Sequence, residues 1–215
     1  MAVLSARVNQ FGPAVAPGTA PGDVPIWTGS GWSNAPAASV GGPEAYGLLE
    51  WNIPLPETNG GTIAVAGTKY VIKIVPRISR NINNIELYVL GAGVTLTAAQ
   101  NLVCLFNGAG TKLGTDSASQ DVTWTSVGRK TMAIGGPIAV VAGQTYYVEI
   151  LSNGTTPPIF NKGPANAGAA NYGLSAAASW VATNGTGATA TDASITPSAL
   201  TVTGGTLIQY WVGLS

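Results

Sequence analysis

The sequence contains no histidine and a single cysteine, Cys104. Without histidine there is no Ser-His-Asp or Cys-His activation of a nucleophile, no imidazole proton shuttle and almost no route to a transition-metal site. One cysteine excludes an intrachain disulfide and a thiolate-bound zinc or iron–sulfur cluster. Its neighbours, Leu-Val-Cys-Leu-Phe, mark it as a small buried hydrophobe. Charge is also scarce, at 8% of residues against about 25% in an ordinary globular protein. Nine basic and nine acidic side chains cancel, so no basic stripe offers itself to nucleic acid or an anionic membrane. No apolar run approaches the ~18 residues of a membrane helix, and no membrane insertion is expected. The opening residues, MAVLSARVNQFGPAVAPG, lack a basic cluster followed by an apolar stretch and do not read as a secretory signal.

What is present is apolar residues, glycine and proline. Hydrophobic residues make up 46% of 215, enough for a sizeable core, while 29 Gly and 14 Pro imply many turns and short elements. A neutral surface of low charge does little to keep copies apart, which suits a subunit that works in an assembly.

Residues 1–60 read as an extended arm. Pro13, Pro17, Pro21, Pro25, Pro36, Pro43, Pro54 and Pro56 recur too often for a helix or a central strand. Within it, PGDVPIWTGSGWSN (21–34) alone has hairpin logic: Thr28–Gly31 make a Gly-containing loop that sets Trp27 opposite Trp32. Each Trp can bury roughly 200 Å², worth about 5 kcal/mol, but the arm offers no core of its own. Trp27, Trp32 and the neighbouring Ile26 are therefore the candidate assembly residues.

From residue 61 onward the pattern is short β runs divided by turn chemistry, the signature of an all-β domain. In KYVIKIVPRI, Tyr70, Ile72 and Ile74 alternate with Val71, Lys73, Val75 and Arg77. NNIELYVLG puts Ile85, Leu87 and Val89 on one face, Glu86 and Tyr88 on the other. NLVCLFNGAG, RKTMAIGG, GPIAVVAG and QTYYVEILSNG follow as further strands. SALTVTGGTLIQYWVGLS reads as a hairpin turning at Gly204-Gly205, its last strand apolar on both faces and so buried mid-domain or against a neighbouring subunit. TLTAAQNL is the one short helix candidate, and residues 163–194 read as long loops. The expected fold is an antiparallel β-sandwich, jelly-roll-like, over 61–215, preceded by the arm.

Chemistry is argued mainly from absence. GAGVTL (91–96) lacks the third glycine of a dinucleotide fingerprint, NGAGTKLG (107–114) lacks phosphate-loop spacing, and both read as turns. Asn153-Gly154-Thr155 and Asn184-Gly185-Thr186 match the glycosylation sequon and also read as turns. Paired carboxylates remain, but Glu86 and Glu149 alternate with apolar neighbours and are expected to face solvent rather than each other. Asp116 and Asp121 lie outside any Asp-x-Asp-x-Asp-Gly calcium run. No catalytic residue, metal or cofactor is expected. Tyr172 and Trp180, in the late loops, either stack on a sugar ring or cover the core.

PGDVPIWTGSGWSNAP resembles the short Gly-x-hydrophobic-x-Trp-x-Gly-x-x-Trp element common in tail fibres and other appendage proteins of tailed bacteriophages. Residues 82–151, from Ile85–Leu90 through GAGTKLG and WTSVGRKTMAI to the Tyr146-Tyr147 strand, resemble the small β-sandwich modules of phage virion and bacterial surface proteins. The resemblance implies a virion structural protein, assembled in the host cytoplasm as a homotrimer through its arm. A tail-fibre or tail-tip subunit with a receptor-binding head is the first expectation, and other virion proteins and a host cell-surface glycan are its partners. A capsid decoration or head-fibre protein is the alternative, and a non-viral carbohydrate-binding module the second. No long coiled-coil or β-helical shaft accompanies the motif.

Overall fold

The computed structural model describes residues 23–27, 32–36, 42–54, 58, 60–163, 174–202 and 208–215. The chain divides into two compact units, Met1–Gly47 and Leu48–Ser215. In the first unit, β1 (Asp23–Trp27) and β2 (Trp32–Pro36) pair antiparallel, with Trp27 opposite Trp32 and Ile26 opposite Ser33. A 3-10 turn, Pro43–Tyr46, follows among the described residues, starting on the proline whose missing N–H such a turn does not use. Gly47 ends that turn at φ 70°, its N–H donating to the carbonyls of Glu44 and Pro43. The rest of the expected arm before Gly42 lies outside the described residues.

Among its described residues the second unit holds thirteen strands. They are β3 (Glu50–Trp51), β4 (Gly61–Ile63), β5 (Lys69–Ile74), β6 (Arg80–Gly91), β7 (Val94–Leu96), β8 (Leu102–Asn107) and β9 (Lys112–Leu113). After them come β10 (Gly128–Val140), β11 (Tyr146–Leu151), β12 (Gly154–Thr156), β13 (Ile159–Asn161), β14 (Val181–Thr183) and β15 (Gly213–Leu214). Every pairing is antiparallel, no α-helix occurs among the described residues, and one sheet is curled into a half-barrel. One sheet runs β3-β15-β6-β13-β4, with β10 along the opposite edge of β6; the other runs β14-β5-β11-β8-β9. β7 and β12 form a separate two-stranded ribbon.

The alternation read from the sequence places the core. Tyr70, Ile72 and Ile74 of β5, Val103 and Leu105 of β8, and Val148 and Ile150 of β11 join one cluster with Ile85, Leu87 and Val89 of β6. Each is essentially inaccessible to water, a gain of about 1.5–3 kcal/mol apiece for the aliphatic ones. Four aromatics run through this core edge to face: Trp124–Phe160 at 4.9 Å, Phe160–Tyr210 at 5.4 Å and Tyr210–Tyr70 at 5.0 Å.

The β5/β8/β11 sheet is covered on its other face too. Val71, Cys104, Phe106, Tyr147 and Ala182 pack there against Ile195 and Leu200 from the segment after β14. All six residues of β11 are therefore buried, which is why its sequence, YYVEIL, reads as nearly unbroken apolar.

Several expectations need correction. The compact unit begins at Leu48, not 61: Leu48 and Ile53 pack on Trp211, and β3 pairs with β15. TLTAAQNL forms no helix; Thr95 and Ala99 take positive φ, 51° and 60°, and a turn closes from Gln100 to Thr97. RKTMAIGG and GPIAVVAG are one strand, β10, whose register against β6 shifts between Ala133 and Ile138. The two halves of the expected C-terminal hairpin separate: Thr201 bridges to Thr183 of one sheet, while Tyr210 bridges to Lys162 and β15 enters the other. Gly204-Gly205 lies outside the described residues. The apolar stretch Tyr210–Val212 is buried inside the chain itself.

Candidate functional site

Of the residues singled out in the sequence, Trp27 and Trp32 are register partners in the β1/β2 pair, and Ile26 is paired with Ser33. Tyr172 lies outside the described residues. Trp180 immediately precedes β14 and keeps 36% of its surface exposed. The Lys73 ammonium sits 4.8 Å from the centroid of its ring and also donates to the Ala178 carbonyl at 3.2 Å. A cation on an indole face contributes about 0.5–1 kcal/mol at such a site. One consequence is that Trp180 is held in a set orientation at the surface.

The acidic residues depart most from expectation. Glu86 and Glu149 do not face solvent: they are 1% and 0% exposed. Alternation correctly took them off the main core, but both opposite faces are covered. Glu86 accepts from Arg129 Nε at 3.0 Å, Thr131 Oγ1 at 2.9 Å and Ser215 Oγ at 2.7 Å. Glu50 is buried likewise, its Oε2 accepting from the backbone and Nε of Arg77. Both are buried anions with charged partners, the arrangement that makes carboxylate burial tolerable.

Glu149 is different. It stands on β11, opposite Val71 and Cys104 in register, under the segment that follows β14. Its Oε1 accepts from the backbone N–H of Asp192 at 2.9 Å, while its buried Oε2 meets no donor among the described residues. Burial, followed by the adjacent Asp192 carboxylate, pushes its pKa from 4.5 up to about 8. At neutral pH Glu149 is thus mostly a neutral acid. The proton resolves the orphan oxygen, because a protonated Oε2 can donate to the Asp192 side chain where a carboxylate could not. Cys104, beside it, has its thiol pKa raised by burial and then by Glu149, so it is inert rather than nucleophilic.

Asp192 gathers the remaining groups. Lys69 Nζ contacts both of its carboxylate oxygens, Oδ1 at 2.6 Å and Oδ2 at 2.7 Å, and Asn184 Nδ2 donates to Oδ2 at 2.6 Å. The Lys69 and Asp192 side chains are only 13% and 25% exposed. Backbone bonds hold the frame, since Asn184 N–H donates to the Lys69 carbonyl and Lys69 N–H to that of Gly185. Nearby, Lys112 pairs with Asp116 at 2.6 Å, and Thr191 bridges the two.

Lys69 and Asp192 were not among the residues singled out from the sequence. The available signal is that Asp192 is the only charged side chain after Lys162. In a chain that spends charge so sparingly, a lone acid in an Ala/Gly/Thr stretch marks a fixed partner. The described residues contain no cluster of three or more His, Cys, Asp or Glu able to hold a metal. No helix among them is long and apolar enough to cross a membrane. No protein-family model matches this chain, and no curated protein matches it.

Proposed function

We propose that this chain is a virion structural protein of a tailed bacteriophage, a tail-fibre or tail-tip subunit. In this reading the Leu48–Ser215 unit is a receptor-binding β-sandwich of jelly-roll type, and the chain assembles as a homo-oligomer, a trimer by the resemblance, through its N-terminal unit. The observation that carries the reading is the β1/β2 register, which pairs Trp27 with Trp32 within the stretch that resembles the appendage element. A two-stranded hairpin is marginal in water by itself, so two facing tryptophans there gain most when an assembled neighbour covers them. The buried acids also support a structural protein over a glycosidase, because Glu50 and Glu86 are each held by an arginine rather than paired with a second carboxyl.

The test is Trp27→Ala with Trp32→Ala. The double variant is expected to keep the β circular dichroism and the melting of the second unit, whose apolar clusters are built from residues beyond Gly47. It is expected to shift the oligomer to monomer in light scattering and to fail in particle incorporation. A variant that unfolds the second unit, or that assembles as well as the parent, sinks the reading. Locating the protein on tail or shell of purified particles separates the fibre from a capsid decoration.

A further inference from the structure

Most buried lysine–carboxylate pairs consist of two charges and the hydrogen bonds that hold them. At Lys69–Asp192 there is a third group, the carboxyl of Glu149, wholly buried and with one oxygen that no donor among the described residues reaches. As a structural element that acid is unfavourable, because an apolar residue on β11 would fill the same place among Val71, Cys104 and Tyr147 without the desolvation cost. It does stand within electrostatic reach of both an amine and a carboxylate, Lys69 and Asp192, where an acid can hand a proton to a leaving oxygen.

We propose that Lys69 Nζ and the Asp192 side chain condense to an intramolecular amide, a covalent clasp between β5 and the segment that covers the β5/β8/β11 sheet, with Glu149 as the proton-transferring acid.

Three observations carry this. The first is proximity. Contacts of 2.6 and 2.7 Å to the two carboxylate oxygens leave Nζ about 3 Å from Cγ, the separation of a near-attack pair. Rotation of the carboxylate about its Cβ–Cγ bond presents its face to the nitrogen. The second is the environment. Lys69 and Asp192 are mostly shielded from water, which disfavours the reverse hydrolysis. The third is the disposition of Glu149 and Asn184. Glu149 is tied to Asp192 through the 2.9 Å backbone bond, and Asn184 donates to Oδ2 at 2.6 Å, where it can stabilise the oxyanion of an addition intermediate. Burial keeps Glu149 protonated near neutrality. Opposite it in register stands Cys104, whose own charged neighbours include Lys112 and Asp116. Lys112 and Asp116 are engaged with each other, and the Cys104 thiol remains protonated.

The step balances without an outside reagent. A proton passes from the Lys69 ammonium to the Asp192 carboxylate that it contacts, leaving amine and acid. The nitrogen lone pair attacks Cγ, forming the C–N bond. The tetrahedral intermediate then loses one oxygen, which Glu149 protonates so that it departs as water. Glu149 recovers its proton from the nitrogen. One ammonium and one carboxylate give one amide and one water, with no net change in charge and nothing oxidised or reduced.

Intact-mass spectrometry of the purified full chain tests this directly. The folded protein is expected to be lighter than its sequence by one water, and a tryptic digest is expected to yield one branched peptide joining the Lys69 and Asp192 segments. Lys69→Arg and Asp192→Ala are expected at full sequence mass. Glu149→Gln, nearly isosteric and checked for folding by circular dichroism, should cross-link at least about a hundredfold more slowly. Full mass in the folded wild-type chain overturns the proposal, as does a water loss that maps elsewhere. A Glu149→Gln chain that cross-links at the parental rate overturns the role given to Glu149.

Discussion

Replacing Arg129 by methionine tests how the second unit tolerates a carboxylate at its centre. Glu86 is 1% exposed and accepts three hydrogen bonds, from Arg129 at 3.0 Å, Thr131 at 2.9 Å and Ser215 at 2.7 Å. Arg129→Met keeps much of the aliphatic stem and removes the guanidinium, so the carboxylate is left with two hydroxyls and no counter-charge. Breaking a buried ion pair from one side costs about 3–5 kcal/mol. The Arg129 side chain is 37% exposed, however, so water screens part of its charge and enters when it leaves. That discount brings the expected loss to about 1.5–2.5 kcal/mol. Urea denaturation followed by tryptophan fluorescence measures it. Adding Glu86→Gln to Arg129→Met should recover most of the loss, because an amide carries no uncompensated charge. The reasoning fails if Arg129→Met costs less than about 0.5 kcal/mol, the range of an ordinary surface substitution. It fails equally if Glu86→Gln in that background restores nothing, since the loss would then come from packing rather than charge.

Glu149 gives a pH dependence of defined sign. Its pKa is raised from 4.5 to about 8 on folding, so its contribution is full below pH 4.5 and is lost as pH rises towards 8, by at most roughly 5 kcal/mol. Measured in chains that all carry Lys69→Arg, so that no cross-link distinguishes them, Glu149→Gln should flatten the fall in stability between pH 5 and 8; parallel curves would refute the assignment. Phe160→Ala removes the ring that meets both Trp124 and Tyr210. It is expected to cost about 3–5 kcal/mol in denaturant unfolding and to weaken the near-ultraviolet dichroism of the cluster, whereas a loss under 1 kcal/mol would mean that the core closes over the gap.

The sequence by itself determined the strands and their faces. Tyr70, Ile72 and Ile74, like Ile85, Leu87 and Val89, point into one core because side chains alternate along a strand whatever it pairs with. The turn at Asn107-Gly108 was legible for the same local reason: Asn107 Oδ1 accepts from the N–H groups of Ala109 and Thr111. The absence of histidine and of a second cysteine likewise excluded whole classes of chemistry without any coordinates. Tertiary structure decided what covers the second face of each sheet. Glu86 and Glu149 are off the core by alternation, yet whether that face meets water depends on Arg129 and Ser215 in one case and on the segment around Asp192 in the other. Strand pattern cannot supply such non-local packing. The Leu48–Trp51 segment was misplaced for the same reason, since β3 is a strand only because β15 lies beside it. Lys69 and Asp192, 123 positions apart, acquire a common chemistry only once β5 and the covering segment have folded together, and Glu149 gains its proton only because that fold removes water from it.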